Sequence, residues 1–103
     1  MSAPFHAARL SAADQKLEDE RLLRLAHQAK ELLENPLLLQ AFAVVEAQWT
    51  RALRSFDPDK QPEVGIAARR KLEALDCVRR ELQAVVQTGK MVEQRRSQGS
   101  EVV

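Results

Sequence analysis

Two proline-containing breaks divide this sequence into three long stretches, and within each stretch apolar residues recur every three or four positions. The first break is Asn35-Pro36, and the second is the segment 57–62, which holds two prolines and two aspartates. A period of three to four places apolar side chains along one face of an α-helix, whereas a half-buried strand needs strict alternation. The pattern therefore predicts an all-α protein of three helices, of which the last two form a long antiparallel hairpin.

The first predicted helix runs from Ala12 to Glu34. Ser11 suits its N-cap because the hydroxyl can accept a hydrogen bond from a backbone amide of the first turn. Asp14 places a negative charge at the positive end of the helix dipole. The apolar face of this helix is expected to consist of Leu22, Leu25, Ala29 and Leu32.

The second predicted helix is the most hydrophobic of the three and holds the only Trp and two of the three Phe. It begins with Pro36, because proline in the first turn of a helix sacrifices no hydrogen bond. We expect its apolar stripe to be the centre of the core. The stripe consists of Leu38, Phe42, Val45, Trp49, Ala52 and Phe56, and it is widened by Leu39, Ala41, Val44 and Leu53.

The third helix is predicted to begin near Glu63. Its apolar stripe includes Gly89, and a glycine inside a helix costs about 1 kcal/mol relative to alanine. Gly89 marks either a close crossing with another backbone or a C-terminal cap at which the helix ends, and the sequence favours neither. The other residues of the stripe are Ala68, Leu72, Leu75, Val78, Leu82, Val85 and Val92.

The chain is too short for more than one domain. Residues 1–10 have no sustained period and contain Pro4, which predicts a flexible or docking arm. Residues 11–96 form the predicted helical domain. The last segment, 97–103, is small and polar with no face to bury, which predicts a disordered tail unless a partner orders it.

Composition excludes several classes of protein. Sixteen basic and fifteen acidic residues give a net charge of +1, so the chain as a whole does not require a polyanionic partner. The single cysteine, Cys77, excludes an internal disulfide framework and fits a reducing compartment. No apolar run approaches the roughly 20 residues of a membrane span, and the start lacks the apolar core of a secretory signal. We therefore expect a cytosolic protein, or one assembled in a cytosol, that is neither secreted nor inserted in a membrane.

Residues that could carry catalysis or hold a metal are few. The histidines are His6 and His27, and Cys77 lies between apolar residues, which favours a small core or interface residue over a nucleophile. One cysteine and two histidines match no zinc spacing. The acidic run 18–20 directs its carboxylates to different sides of a helix, which predicts a solvated face instead of a metal cage. We expect no enzyme activity, no catalytic or metal-binding residue, no cofactor and no small-molecule substrate.

The predicted helices are long for a chain of this size. A helix of thirty residues spans about 45 Å, so three such helices expose much lateral surface around a small core. This favours association into a helical oligomer, and a monomeric three-helix bundle is the alternative. The residues that we expect to carry helix packing and association are Phe42, Val45, Trp49, Leu75, Leu82 and Val85.

Arginines of the third helix form a candidate contact to nucleic acid. The segment 60–103 carries nine basic and six acidic residues, and its arginines could contact phosphate. Glu73, Asp76 and Glu81 lie at helical spacing from these arginines, so the alternative is a surface of paired ions. Binding to DNA would then require an oligomer that multiplies a modest patch. The candidate residues are Arg69, Arg70, Arg79 and Arg80.

Two stretches resemble a group of small proteins of tailed bacteriophages, usually met among head and packaging genes. They are residues 31–46, with Glu-Asn-Pro at 34–36, and residues 74–93, with Thr-Gly-Lys at 88–90. Members of the group have a helix that ends in Glu-Asn-Pro, an aromatic-bearing second helix and a third helix that closes on a Thr-Gly-Lys turn. The resemblance implies a role in virion assembly, in the particle itself or in DNA packaging, in the cytoplasm of a bacterial host or in the virion.

Three functions follow as hypotheses. The first is a non-enzymatic bacteriophage-type interaction protein that acts in virion assembly, or as a capsid-associated structural component, through contacts with copies of itself or other virion proteins. The second is a DNA-packaging component that resembles the small subunit of a phage terminase and binds DNA as an oligomer. The third is a small regulator or inhibitor that binds a host protein.

Overall fold

The computed structural model describes residues 11–102, and the side chains of residues 11–99. Helix α1 spans Ala12–Glu34, α2 spans Pro36–Ser55 and α3 spans Pro62–Val102. No strand occurs within this described part of the chain. The prediction of an all-α fold of three helices is confirmed, and the predicted arm 1–10 lies outside the described residues.

Side chains that satisfy free backbone amides fix the starts of α1 and α2. The Oγ of Ser11 accepts a hydrogen bond of 3.1 Å from the backbone N–H of Asp14. The Oδ1 of Asn35 accepts bonds of 2.9 and 3.1 Å from the N–H groups of Leu37 and Leu38. The prediction that Ser11 caps α1 is therefore confirmed, and Asn35 caps α2 in the same way. Each cap pairs amides that the helix itself leaves free.

A turn built on Asp57 reverses the chain between α2 and α3. Its carboxylate accepts bonds from the N–H groups of Asp59 at 2.9 Å and Lys60 at 3.3 Å. The ring of Phe56 then packs over Gly65, where an added Cβ would lie 2.5 Å from the ring. The turn and this close approach hold α2 and α3 as the antiparallel hairpin that the sequence predicts.

The other two helices are arranged along α3, which has 41 residues. A helix of that length spans about 60 Å, close to the longest dimension of the molecule, 66 Å. Helix α2 lines the first half of α3, where Glu46 meets Arg79. Helix α1 lines the second half, where Asp19 meets Arg95. The molecule is therefore elongated, and α1 and α2 both pack along α3.

Gly89 is buried where α3 crosses α1. A Cβ added to Gly89 would overlap the Cβ of Ala26, and α3 continues past this point without a break. Of the two interpretations of Gly89, the close crossing is confirmed and the C-terminal cap is wrong. Because Ala26 meets Gly89 while Asp19 meets Arg95, α1 also runs antiparallel to α3.

Helix α3 extends to Val102, so residues 97–102 are helical where the sequence predicts a disordered tail. That prediction is wrong for these residues. A helix that is already formed gains one backbone hydrogen bond for each residue added, so it can continue without a face to bury. The prediction of a disordered tail considered only whether a face could be buried, and it did not consider that α3 could be extended residue by residue.

Few side chains are fully covered. Within the described chain the buried apolar residues are Ala29, Ala68 and Val92, and no large side chain is fully buried. Helix α2 contains no buried residue, so the expectation that its stripe is the centre of the core is wrong. Its stripe is half-buried because α2 packs mainly against one neighbour, α3. Much apolar side-chain surface consequently remains at the outside of the molecule.

Candidate interaction surfaces

The six residues predicted to carry packing and association are all half-buried. Each one therefore covers part of a contact between helices and leaves part of its surface open to solvent. A packing role agrees with this placement, and a role in association stays a prediction. The six are Phe42, Val45, Trp49, Leu75, Leu82 and Val85.

Arg79 connects the predicted packing residues to the predicted arginine patch. Its Nη1 lies 2.7 Å from Oε2 of Glu46 on α2 and 3.6 Å from Oδ1 of Asp76 on α3. Its guanidinium carbon lies 5.1 Å from the centroid of the Phe42 ring, which is a cation–π geometry. The sequence predicts Arg79 as a contact to nucleic acid, whereas the structure places it between α2 and α3 as part of their packing.

Three other arginines of α3 are exposed, and they are the remainder of the candidate patch. Within the described chain, no ion pair links Arg69, Arg70 or Arg80 to a carboxylate. Arg80 instead donates to the backbone oxygen of Asp76, at 3.4 Å. The predicted alternative is a surface of paired ions. Arg79 pairs with Asp76 as this alternative requires, whereas Arg69, Arg70 and Arg80 do not pair with a described carboxylate.

A buried acidic residue anchors the second half of α3. Asp19 accepts hydrogen bonds from the Nη2 of Arg95 and, at 2.9 Å, from the Nε2 of Gln15. The bond from Arg95 is the main cause that lowers the pKa of Asp19 below its usual value of 3.8, and the bond from Gln15 acts in the same direction. Residue 19 is 7% exposed, so the expectation of a solvated acidic face is wrong at this position.

The carboxylate of Glu18 has a different partner from that of Asp19, because successive side chains of a helix point in different directions. Glu18 forms a bidentate pair with Arg21, with distances of 2.6 and 3.0 Å. This hydrogen-bonded pair lowers the pKa of Glu18 and raises that of Arg21. The prediction that these carboxylates diverge is confirmed. No group of three or more potential metal ligands occurs among the residues that the structure describes.

Cys77 is exposed on α3, so its interpretation as a small core residue is wrong. The Nη2 of Arg80 lies 3.4 Å from its Sγ. The alternative, an interface residue, stays a prediction. His27 is also exposed, with its Nε2 2.8 Å from Oε1 of Glu31 one turn along α1.

Helix α2 has a second, partly apolar face that the apolar stripes described above do not predict. Leu37 is 74% exposed and Val44 is 59% exposed, although the sequence pattern predicts Val44 at the edge of the core stripe. Both belong to a series with 3-4-3-4-3 spacing, which a helix places on one side. We call this series the outer face of α2, and it consists of Leu37, Gln40, Val44, Ala47, Arg51 and Arg54.

A signal for this face is present in the sequence. The ten residues 36–45 include no charged residue, whereas a helix with one solvated side normally carries charges every turn. The first charge in α2 is Glu46, and that carboxylate is used by Arg79. An uncharged run of nearly three turns therefore indicates a helix with two apolar sides, of which α3 covers one.

Among the described residues, no helix is both long enough and apolar enough to span a membrane. The chain matches no protein-family model, no curated protein and no solved structure.

Proposed function

We propose that this chain is a non-enzymatic interaction protein that acts by associating with copies of itself during the assembly of a bacteriophage-type particle. The observation that carries the proposal is the apolar surface left open by the fold. Large apolar side chains are exposed on all three helices, among them Leu17, Leu37, Val44, Ile66 and Met91. Exposed apolar side chains that share one face, as Leu37 and Val44 do on α2, are typical of surfaces that bind other macromolecules.

The total surface area supports the same proposal. The accessible surface is 8511 Å², whereas a folded monomer of 11.6 kDa exposes about 5,800 Å². The eleven residues outside the described part account for no more than about 1,700 Å² of the difference, even when counted as fully exposed. The remaining excess of accessible surface is about 1,000 Å². It is similar to the roughly 800 Å² that each partner contributes to an interface of standard size.

The biological setting is drawn from the resemblance to small proteins of tailed bacteriophages. The Glu-Asn-Pro motif at 34–36 ends α1 and joins it to α2, as in that group. The Thr-Gly-Lys motif at 88–90 departs from the pattern of the group, because it lies inside α3 at the crossing with α1 and does not close the helix. Both motifs shape the fold and neither supplies chemistry. A structural role in the head or in the assembling particle, in the cytoplasm of a bacterial host or in the virion, agrees with that character.

Fractionation of particles tests this setting. Lysate from a host that is producing the phage encoding the chain is separated on a density gradient, and an antibody against the chain locates it. We expect the chain in fractions that contain heads or assembling heads. Detection only in the slowly sedimenting soluble fraction, as a free monomer, would contradict the proposal.

DNA binding by the oligomer is a second candidate function, and a specific observation favours it. Arg69, Arg70 and Arg80 are exposed and have no carboxylate partner in the described chain, so they are free to contact phosphate. DNA retention at low salt should weaken steeply as salt increases, and it should be lost when all three are changed to Glu. Arg79 must stay unchanged in this variant because it packs against Phe42. No retention by the oligomer at low salt would remove this candidate.

A further inference from the structure

We propose that two copies of this chain pair through the outer faces of their α2 helices, which run antiparallel about a twofold axis. The proposal deepens the proposed function and rests on it, since it names the surface and the partner through which association begins. The partner is a second copy of the same chain.

The outer face of α2 differs in charge from the exposed side of α1. Its first four members, Leu37, Gln40, Val44 and Ala47, are uncharged and exposed. Water solvates a charged side well, whereas an uncharged apolar side gains free energy when it is covered. On α1 the exposed leucines Leu17, Leu25 and Leu32 instead lie among charged residues. The exposed charged residues include Lys16, Arg21, Arg24, Lys30, Glu31 and Glu34.

The spacing of the outer face fits an antiparallel pair of identical helices. Leu37, Val44 and Arg51 occupy one position of a heptad, and the remaining three members occupy the other. In an antiparallel pair, the heptad position of Val44 in one copy faces the heptad position of Ala47 in the other. Val44 of one copy therefore lies opposite Ala47 of the other. A small residue opposite a larger one lets the two helices approach closely, and the same patch serves both copies, as an isologous interface requires.

Charges at the two ends of α2 favour the antiparallel direction. Arg51 and Arg54 lie near its C-terminal end, and Glu34 directly precedes its N-cap. None of these three forms an ion pair with another described residue. Antiparallel pairing brings Arg54 of each copy to the Leu37 end of the other, within about one helical turn of Glu34. A parallel pair would instead place four arginines together, which is unfavourable.

Sedimentation equilibrium of three full-length chains tests the proposed surface. Val44→Glu places a charge in the centre of the interface, and Val78→Glu places the same charge at a site on α3 that is 48% exposed. We expect the wild type and Val78→Glu to dimerise alike. Val44→Glu should raise the dissociation constant by at least about tenfold, because its carboxylate loses water opposite Ala47 and the nearest arginine of the other copy, Arg51, lies one turn away. Circular dichroism should show the same helix content in all three.

Charge reversal tests the direction of the pairing. Arg54→Glu and Glu34→Arg should each weaken the dimer by several-fold, and the double variant should recover most of the loss because the pair is re-formed with its signs exchanged. Additive losses in the double variant would overturn the antiparallel arrangement. An oligomer that Val44→Glu leaves intact would overturn pairing through α2 alone, whereas a wild type that is monomeric at every concentration would overturn the proposed function as well.

Discussion

Gly89 of α3 and Ala26 of α1 meet so closely that a Cβ on Gly89 would overlap the Cβ of Ala26. The missing side chain is what lets the two helices cross at this distance. The buried residues described in α1 are Asp19 and Ala29, which lie before and after Ala26 in the sequence, so the crossing lies in the middle of the contact between α1 and α3.

Gly89→Ala tests this crossing. In an open helix this change would stabilise by about 1 kcal/mol, but here the added methyl group forces α1 and α3 apart, and we expect a net loss of about 1–3 kcal/mol. Gly99→Ala is the matched control, since nothing lies within 4 Å of its added Cβ. Urea unfolding followed by circular dichroism measures both changes. Stabilisation by Gly89→Ala equal to that by Gly99→Ala would show that the helices do not touch here.

Arg79→Ala should destabilise the hairpin of α2 and α3. The side chain loses its ion pair with Glu46 and its contact with the Phe42 ring, and we expect a cost of about 1–2 kcal/mol. A double-mutant cycle with Glu46→Ala isolates the ion pair, for which the coupling free energy should be about 0.5–1 kcal/mol because both side chains are partly exposed. A coupling free energy of zero would mean that the pair is not formed in solution.

Acid should weaken the attachment of α1 to α3 through Asp19. Its pKa is lowered in the folded chain, chiefly by the hydrogen bond from Arg95, so the ionised carboxylate stabilises the fold at every pH above its usual value of 3.8. This contribution is lost as the pH falls through the lower folded pKa. The free energy of unfolding should therefore decrease between about pH 5 and pH 2.

Asp19→Asn should reduce this dependence on pH, because an amide does not titrate. Glu20→Gln is the control, since it removes a neighbouring carboxylate that forms no ion pair in the described chain. Urea titrations at several pH values measure the effect. If Asp19→Asn and the wild type lose stability in parallel as the pH falls, the Asp19–Arg95 pair does not contribute to folding.

Trp49→Ala should cost less than the removal of a fully buried aromatic side chain. Trp49 is half-buried, so we expect about 1.5–2.5 kcal/mol instead of the roughly 3–5 kcal/mol found for fully buried sites. Thermal unfolding at low protein concentration, where the monomer dominates, measures this cost. A larger loss in the free energy of unfolding would show that the side chain of Trp49 is covered more completely than in this fold.

The helices and their starts were predictable from sequence because local interactions determine them. Ser11, Asn35 and Pro36 act within one turn of their own position, and the apolar period follows from helix geometry. The extent of burial was not predictable in this way. An apolar series such as that on α2 shows that a face is available for packing, but how far it is covered depends on how many neighbours the topology supplies.

Of the ion pairs on α3, the sequence predicts only those between residues that are close in the chain. Asp76 and Arg79 lie one turn apart, so their pair was expected. Asp19 and Arg95 are 76 positions apart, and nothing local in the sequence indicates their contact. The outer face of α2 could have been recognised from the uncharged run 36–45, which is too long for a helix with a single buried side.

The molar mass of the purified chain in solution, measured by light scattering over a hundredfold range of concentration, tests the central claim most directly. The open apolar surface predicts a discrete oligomer that is a multiple of the 11.6 kDa chain, with an even number of copies if α2 pairing is its unit. A mass of one chain at all concentrations would contradict self-association.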